Sequence, residues 1–177
     1  MELPRLIETK RLRLRPPIME DANEIFRKYA QDVEVTKYVM WSPHENIEIT
    51  KQFLRRCVQA LDAGQSSPWV IEMRESNELM GMIELRVKDH CANIGYTIAR
   101  QYRGQGYMTE VVGTLVEWAL SQPDIYRIWA VCDVDNIASA RVLEKAGMEK
   151  EGVLRRYLVH PNLSDEPRDC YCYSAIK

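Results

Sequence analysis

The segment that decides the fold is QYRGQGYMTEVVGTLVEWAL, residues 101–120. Its first six residues carry two glycines, and the residues after them repeat apolar side chains at the spacing of one helix face. A strand is predicted just before it, over residues 93–98. Glycines between a strand and a helix let an anion approach the unpaired amides and the positive dipole end of that helix. The segment therefore predicts a strand–loop–helix unit that can hold a phosphate group.

Two common phosphate-binding loops do not fit this segment. A Walker loop needs Lys followed by Ser or Thr after its last glycine, whereas Tyr107 and Met108 follow Gly106. A dinucleotide-binding fingerprint needs a third glycine at the position of Thr109. From these residues alone, a tight turn before a helix remains the alternative to an anion site.

The rest of the chain predicts one α/β domain over residues 1–177, with a mixed sheet flanked by helices. Helices are expected to begin near Asp21, near Glu45 and near Asn136, and a further one to end before Pro123. The second helix should turn Ile49, Phe53, Cys57 and Leu61 towards the core. Strands are predicted over residues 11–15, 69–71, 80–87, 93–98 and 127–132, with two more in 151–177.

Composition narrows the class of protein. The 177 residues are 46% hydrophobic and 28% charged, with a formal net charge of -2, which is typical of a soluble globular protein and not of a nucleic-acid binder. No apolar run approaches the roughly 20 residues that span a bilayer, and the N-terminus has no signal-peptide core, so we expect a cytoplasmic protein. The five cysteines show no zinc-ligand spacing, which predicts reduced thiols and no metal.

Two motifs, in order and correctly spaced, resemble those of the GNAT acetyltransferase superfamily. Gln101, Gly104 and Gly106 match its pyrophosphate-binding pattern Gln/Arg-x-x-Gly-x-Gly/Ala. The stretch NIASARVLEKAGM, residues 136–148, is similar to the second motif in the branch that contains the RimJ/RimL-type ribosomal-protein N-terminal acetyltransferases. The resemblance covers nearly the whole chain. It implies the GNAT fold, a mixed and mostly antiparallel sheet with a splayed pair of parallel strands.

The resemblance also implies acetyl-CoA as cosubstrate, with its pantetheine arm filling the gap between the strands at 93–98 and 127–132. Backbone groups of Thr97 and Ile98 would pair with the pantetheine amides, and Asn136 would reach the same arm. The pyrophosphate would be held at Gln101 and by the backbone amides that follow. The residues expected there are Arg103, Gly104, Gln105, Gly106, Tyr107 and Met108.

For catalysis, the resemblance places Ser139 near the sulfur, where its hydroxyl could protonate the leaving thiolate. Many relatives use a tyrosine farther along the same helix, where this chain has Glu144. Asn93 stands where the family often has a glutamate general base, and an amide cannot accept the proton. Glu84 is the nearest strand carboxylate and His90 the nearest imidazole, so the identity of the base stays open.

Tyr38 and Trp41 lie in the region that borders the acceptor site in the family, although packing in the core is the alternative for both. The expected reaction is direct attack of a primary amine on acetyl-CoA in a ternary complex, by a monomer or a homodimer. The missing glutamate favours an α-amine, on a protein, peptide or small molecule. The alternatives are a polyamine or aminoglycoside acetyltransferase and a non-catalytic CoA-binding sensor.

Overall fold

The computed structural model describes residues 3–64 and 66–177. Its strands are Ile7–Glu8 (β1), Leu12–Arg15 (β2), Ser67–Met73 (β3), Leu79–Lys88 (β4), Cys91–Ile98 (β5), Arg127–Asp133 (β6), Glu149–Leu158 (β7) and Arg168–Ile176 (β8). They form one sheet in the order β1-β2-β3-β4-β5-β6-β8-β7. The pair β5–β6 is parallel, and the other neighbouring pairs are antiparallel. The predicted mixed α/β sheet is confirmed.

The helices are Ala22–Ile25 (α1), continued by a π-helical turn over Phe26–Ala30, then Val33–Thr36 (α2), Ile47–Asp62 (α3), Tyr107–Ser121 (α4) and Ile137–Lys145 (α5). Asp32, Asn46 and Asn136 cap α2, α3 and α5 by accepting hydrogen bonds from first-turn amides. Helix α2, one turn long, was not predicted because four residues carry no periodicity. Among the described residues, no helix combines the length and the apolar character needed to cross a membrane.

Apolar side chains pack on both faces of the sheet. The first core cluster lies against α4 and α5, with Leu12, Trp69, Ile94, Val112 and Leu143 among its members. The second lies on the opposite face against α1 and α3, with Ile25, Tyr29, Leu54, Val70 and Met82 among its members. Helix α3 turns the predicted Phe53 and Cys57 towards the second core cluster, where both pack. Thr50 and Leu54 are its fully buried residues, while Ile49 and Phe53 keep part of their surface exposed.

Strands β5 and β6 separate part of the way along their length. Their pairing comprises Cys91 with Arg127, Ala92 with Ile128 and Asn93 with Trp129, yet the strands run on to Ile98 and Asp133. Each stays paired with its outer neighbour, since β4 follows β5 to Ile98 and β8 follows β6 to Asp133. The two halves of the sheet therefore diverge into a V, which is the splayed pair that the resemblance implied.

Gly81 allows the close approach of β4 and β5 at the open end of the V. A Cβ placed on Gly81 would lie 2.2 Å from the backbone oxygen of Thr97 and 2.9 Å from the Cα of Ile98. Both atoms belong to the backbone and cannot rotate away. A side chain at Gly81 would therefore push the end of β5 out of its position.

We expect Gly81→Ala to lower the free energy of unfolding by about 1–3 kcal/mol, because it overpacks two paired backbones. Gly113 is the matched control, since it lies within α4 and a Cβ there meets no atom within 4 Å. Gly113→Ala should raise stability by up to about 1 kcal/mol through helix propensity. Urea unfolding followed by circular dichroism measures both variants. Equal stability of the two would contradict the close approach.

Candidate active site

The loop between β5 and α4 depends on two glycines in the left-handed region. Residues 100–102 form a short 3₁₀ turn, after which Gly104 has φ +77 and Gly106 has φ +79. A Cβ on Gly104 would meet no atom within 4 Å. The residue is therefore glycine because of its positive φ, and not because a side chain would lack room. The loop reverses the chain, so the N-terminus of α4 lies close to the end of β5, at the open end of the V.

The amides of this loop differ in availability. The Arg103 amide donates to the Arg100 oxygen at 3.1 Å, which narrows the predicted anion-binding amides to residues 104–108. Amides in the first turn of α4 have no partner inside the helix. The Gln105 side chain donates to the Gln101 oxygen at 2.8 Å, so these two predicted residues brace the loop. The Arg103 guanidinium lies 3.4 Å from the Glu34 oxygen, and burial lowers its pKa.

Arg11 is a candidate site residue that sequence reasoning missed, since its only signal was strand alternation. Its Nη1 donates to the Gln105 oxygen at 3.2 Å, and its guanidinium lies 4.3 Å from the centre of the Tyr107 ring. Glu110 accepts from Arg11 Nε at 2.7 Å and from Thr9 Oγ1 at 2.6 Å. Burial alone would raise the pKa of Glu110, but these hydrogen bonds outweigh it and lower the pKa. The network joins the turn between β1 and β2 to the glycine loop.

Ser139 and Tyr96 meet at the open part of the V. Ser139 stands in the first turn of α5, where its amide donates to Asn136 Oδ1 at 3.2 Å. Its Oγ lies 2.8 Å from Tyr96 Oη, on β5 three residues beyond the last pair with β6. Thr97 and Ile98 follow, paired on one side with Met82 and Gly81 of β4. Sequence reasoning missed Tyr96 because strand alternation assigns it only to a face.

Asn93 joins the two strands at the point where they separate. Its Nδ2 donates to the Trp129 oxygen at 3.2 Å, and its Oδ1 accepts from Arg86 at 3.4 Å. Glu84 forms an ion pair with Arg86 and lies opposite Gly95. By strand alternation, Glu84 and Asn93 therefore share one face of the sheet, and Tyr96 with Ser139 lies on the other. The structure thus brings Glu84 near Asn93 and not beside Ser139.

The other base considered, His90, lies at the closed end of the V. It is the residue before β5, and its ring centroid lies 6.5 Å from that of Tyr126, the residue before β6. Since the loop and the Ser139–Tyr96 pair are at the opposite end, His90 is separated from them by the length of the paired strands.

Tyr38 reaches the site, whereas Trp41 packs beside it. Tyr38 Oη donates to the Asp135 oxygen at 3.3 Å, next to the cap residue Asn136. The Trp41 ring lies 5.0 Å from the His44 ring at the edge of the second core cluster. Asn162, in the loop between β7 and β8, donates to the backbone oxygens of Thr36 at 2.7 Å and Trp41 at 2.8 Å. That loop therefore holds the segment 36–41 in place.

A buried carboxylate connects the same loop to the end of β6. Asp133 is 0% exposed and accepts from Arg168 Nε at 2.6 Å, and Arg168 also reaches Asp135. His160 Nε2 lies 3.6 Å from Asp133 Oδ2. Its Nδ1 is buried and has no hydrogen-bond partner among the described residues. Burial lowers the pKa of His160 although the charge of Asp133 opposes the shift.

This lowered pKa predicts a pH-dependent loss of stability. The unfolded histidine has a pKa of about 6.5, so His160 contributes stability that is present above that pH and lost as pH falls through its lowered folded pKa. We expect the thermal unfolding midpoint to fall between pH 7 and pH 5, and to fall less in His160→Gln. His90→Gln, a change at an exposed histidine, is the control and should keep the wild-type slope. Equal slopes in all three proteins would contradict the role of His160.

A splayed parallel pair, with a glycine loop and a helix N-terminus at its open end, defines the acyl-CoA N-acyltransferase class of fold. The family description "Acetyltransferase (GNAT) domain" matches residues 11–149. The chain therefore belongs to the GNAT acetyltransferase family and is an N-acetyltransferase.

One curated relative and two solved structures show what the chain is similar to. An uncharacterised N-acetyltransferase of Bacillus subtilis, YoaA, is 35% identical over 175 residues, covering 97% of both chains. The microcin C7 self-immunity acetyltransferase MccE, solved with acetyl-CoA and AMP, has a TM-score of 0.86 at 22% identity over 99% of this chain and 98% of its own. The ribosomal α-N-protein acetyltransferase RimL, solved with coenzyme A, has a TM-score of 0.84 at 21% identity over 97% of both. These two structures share the fold.

Proposed function

We propose that this chain transfers the acetyl group of acetyl-CoA to a primary amine by direct attack, with an α-amine as the preferred acceptor. The observation that carries the proposal is the V between β5 and β6, which opens at the unpaired amides of residues 104–108. A linear ligand with an anionic end and amides along its length fits such an opening. Acetyl-CoA has both features.

The proposed cofactor site uses the backbone more than side chains. The pyrophosphate lies at the amides of residues 104–108, with the cation of Arg11 beside them. The pantetheine arm pairs with the free edge of β5 at Thr97 and Ile98, and Asn136 lies on the other side of the opening. Met108 is 5% exposed within the first core cluster, so its amide is the part available to the ligand. RimL with coenzyme A and MccE with acetyl-CoA, which share the fold, support acetyl-CoA as the ligand.

The chemistry follows from these positions. The amine nitrogen forms a bond to the thioester carbon, and holding both substrates together supplies much of the rate. A backbone amide of β5 stabilises the oxyanion. As the carbon–sulfur bond breaks, sulfur takes the bonding pair and receives a proton from Ser139, which is replaced by the proton that the nitrogen releases to solvent. Glu84, on β4 and on the opposite face of the sheet, can take the nitrogen's proton through water and pass it on to solvent, from which Ser139 regains its own proton.

The acceptor class follows from the absence of a carboxylate at Asn93. An amine must be neutral to attack, and a lysine side chain with pKa near 10.4 is only about 0.04% neutral at pH 7. An α-amine with pKa near 7.7–8.0 is roughly 10–20% neutral at that pH. In this site the Asn93 amide bonds to the Trp129 oxygen, and Glu84 is already paired with Arg86. A site that gives little help in removing a proton from the amine therefore favours the α-amine, since more of it is already neutral.

The cofactor proposal is tested by two isosteric changes in the loop. Gly106→Glu and Gly106→Gln impose the same left-handed strain, of about 1–2 kcal/mol, but only the first adds a negative charge. We expect the affinity for acetyl-CoA, measured by isothermal titration, to fall at least about tenfold further in Gly106→Glu than in Gly106→Gln because of repulsion from the phosphates. Equal affinities in the two variants would reject the loop as the pyrophosphate site.

The acceptor proposal is tested with two matched peptides. One has only a free α-amine, and the other is N-acetylated and carries a single lysine. With acetyl-CoA at pH 7, we expect the α-amine peptide to be modified faster by about ten times or more, as located by mass spectrometry, since its neutral fraction is larger. Faster modification of the lysine would refute the preference. A panel of polyamines and aminoglycosides tests the small-molecule alternative, and absence of thiol release with every amine would identify a CoA-binding sensor.

A further inference from the structure

We propose that Tyr96 is a positioning residue for the transfer reaction: its phenol donates to Ser139 Oγ and thereby directs the Ser139 proton at the sulfur of the bound thioester. This inference rests on the proposed function and adds a residue to it. Tyr96 and Ser139 are 43 positions apart, and their oxygens lie 2.8 Å from each other.

The chemistry of the two hydroxyls gives the bond its direction. A phenol is a stronger donor than an aliphatic hydroxyl, and each group has one proton, while Ser139 Oγ has two lone pairs. When Tyr96 donates, Ser139 must point its own proton elsewhere. The alternative acceptor for the Tyr96 proton, the Ser139 backbone oxygen, lies farther away at 3.4 Å. The Ser139 proton can then point at the Cys132 thiol, a further hydrogen-bond neighbour of Ser139, or into the opening of the V, where the proposal places it.

The surroundings keep Tyr96 in its donor form. Its ring packs against the first core cluster, and burial raises its pKa well above the usual value, despite the hydrogen bond to Ser139. A tyrosine that stays protonated holds Ser139 in one orientation through the reaction and does not itself transfer a proton. The proton balance of the proposed reaction is unchanged, because the proton lost by nitrogen replaces the one that Ser139 gives to sulfur.

The neighbours of the pair are fixed as well. The Ser139 amide is held by the Asn136 side chain, so the serine backbone cannot follow a shift of its hydroxyl. Tyr96 is held by β5, which pairs with β4 through Ile83 at this position. Two rigid elements on opposite sides of the opening are thus joined by one hydrogen bond. Such preorganisation lowers the cost of orienting the donor at the moment of reaction.

The test compares Tyr96→Phe, Ser139→Ala and the double variant. We expect Tyr96→Phe to lower kcat about 5- to 10-fold, the effect of one hydrogen bond, with KM for acetyl-CoA within about twofold. If Tyr96 acts through Ser139, the double variant should be no slower than Ser139→Ala alone. A merely structural tyrosine would give losses that multiply, and that outcome, or an unchanged kcat in Tyr96→Phe, overturns the proposal.

Tyr173→Phe is the control, because it removes another phenol that makes a side-chain hydrogen bond, to Glu144 at 2.9 Å, from a position more buried than that of Tyr96. Its kcat should stay within about twofold of wild type, and thermal unfolding checks that both tyrosine variants fold. Loss of kcat in the control to the same extent would show a packing effect and overturn the proposal. Failure of the proposed function is distinguishable, since wild-type protein would then release no thiol with any amine.

Discussion

The structure depends on one constraint, the interruption of the parallel pairing between β5 and β6 after Asn93 and Trp129. Backbone donors and acceptors need partners, and the facing edges of the two diverging strands offer theirs to whatever enters the opening. The outer strands keep the two halves of the sheet intact, while the Asn93 side chain bonds across the point of separation. The sheet thus has a permanent gap between β5 and β6. The glycine loop and α5 lie at the open end of that gap.

The alternation of β5 divides the chemistry between two faces. Side chains of successive residues point to opposite sides, so Tyr96 meets Ser139 on the side of α5, whereas Asn93 shares the other side with Glu84. In the proposed reaction, a thioester lying in the gap between the strands is accessible from both faces. Proton donation to sulfur and proton removal from nitrogen can therefore be assigned to different faces, without a single cluster of acid and base.

Three distant segments form the rim above this gap. The connection after α2 reaches the end of β6 through Tyr38, and the loop between β7 and β8 holds that connection through Asn162. Asp133 is buried beneath them and is neutralised by Arg168. Because a buried carboxylate without a partner would cost several kcal/mol, the position of the loop and the position of β6 depend on each other. This rim is as constrained as the glycine loop.

The amino-acid sequence by itself determined most of the local elements: the strands by alternation or apolar runs, the cap of α5 at Asn136, and the glycine loop by residues whose φ other side chains avoid. Its two motifs also indicated the family. Only the tertiary structure decided the full burial of Thr50 and Leu54 on α3 and the pairs that join remote segments, such as Arg11 with Glu110, 99 positions apart, and Tyr96 with Ser139. Local periodicity tells which face a residue occupies, but the register of packing between elements decides which side chain it meets there, and that register has no signal within a short stretch of chain.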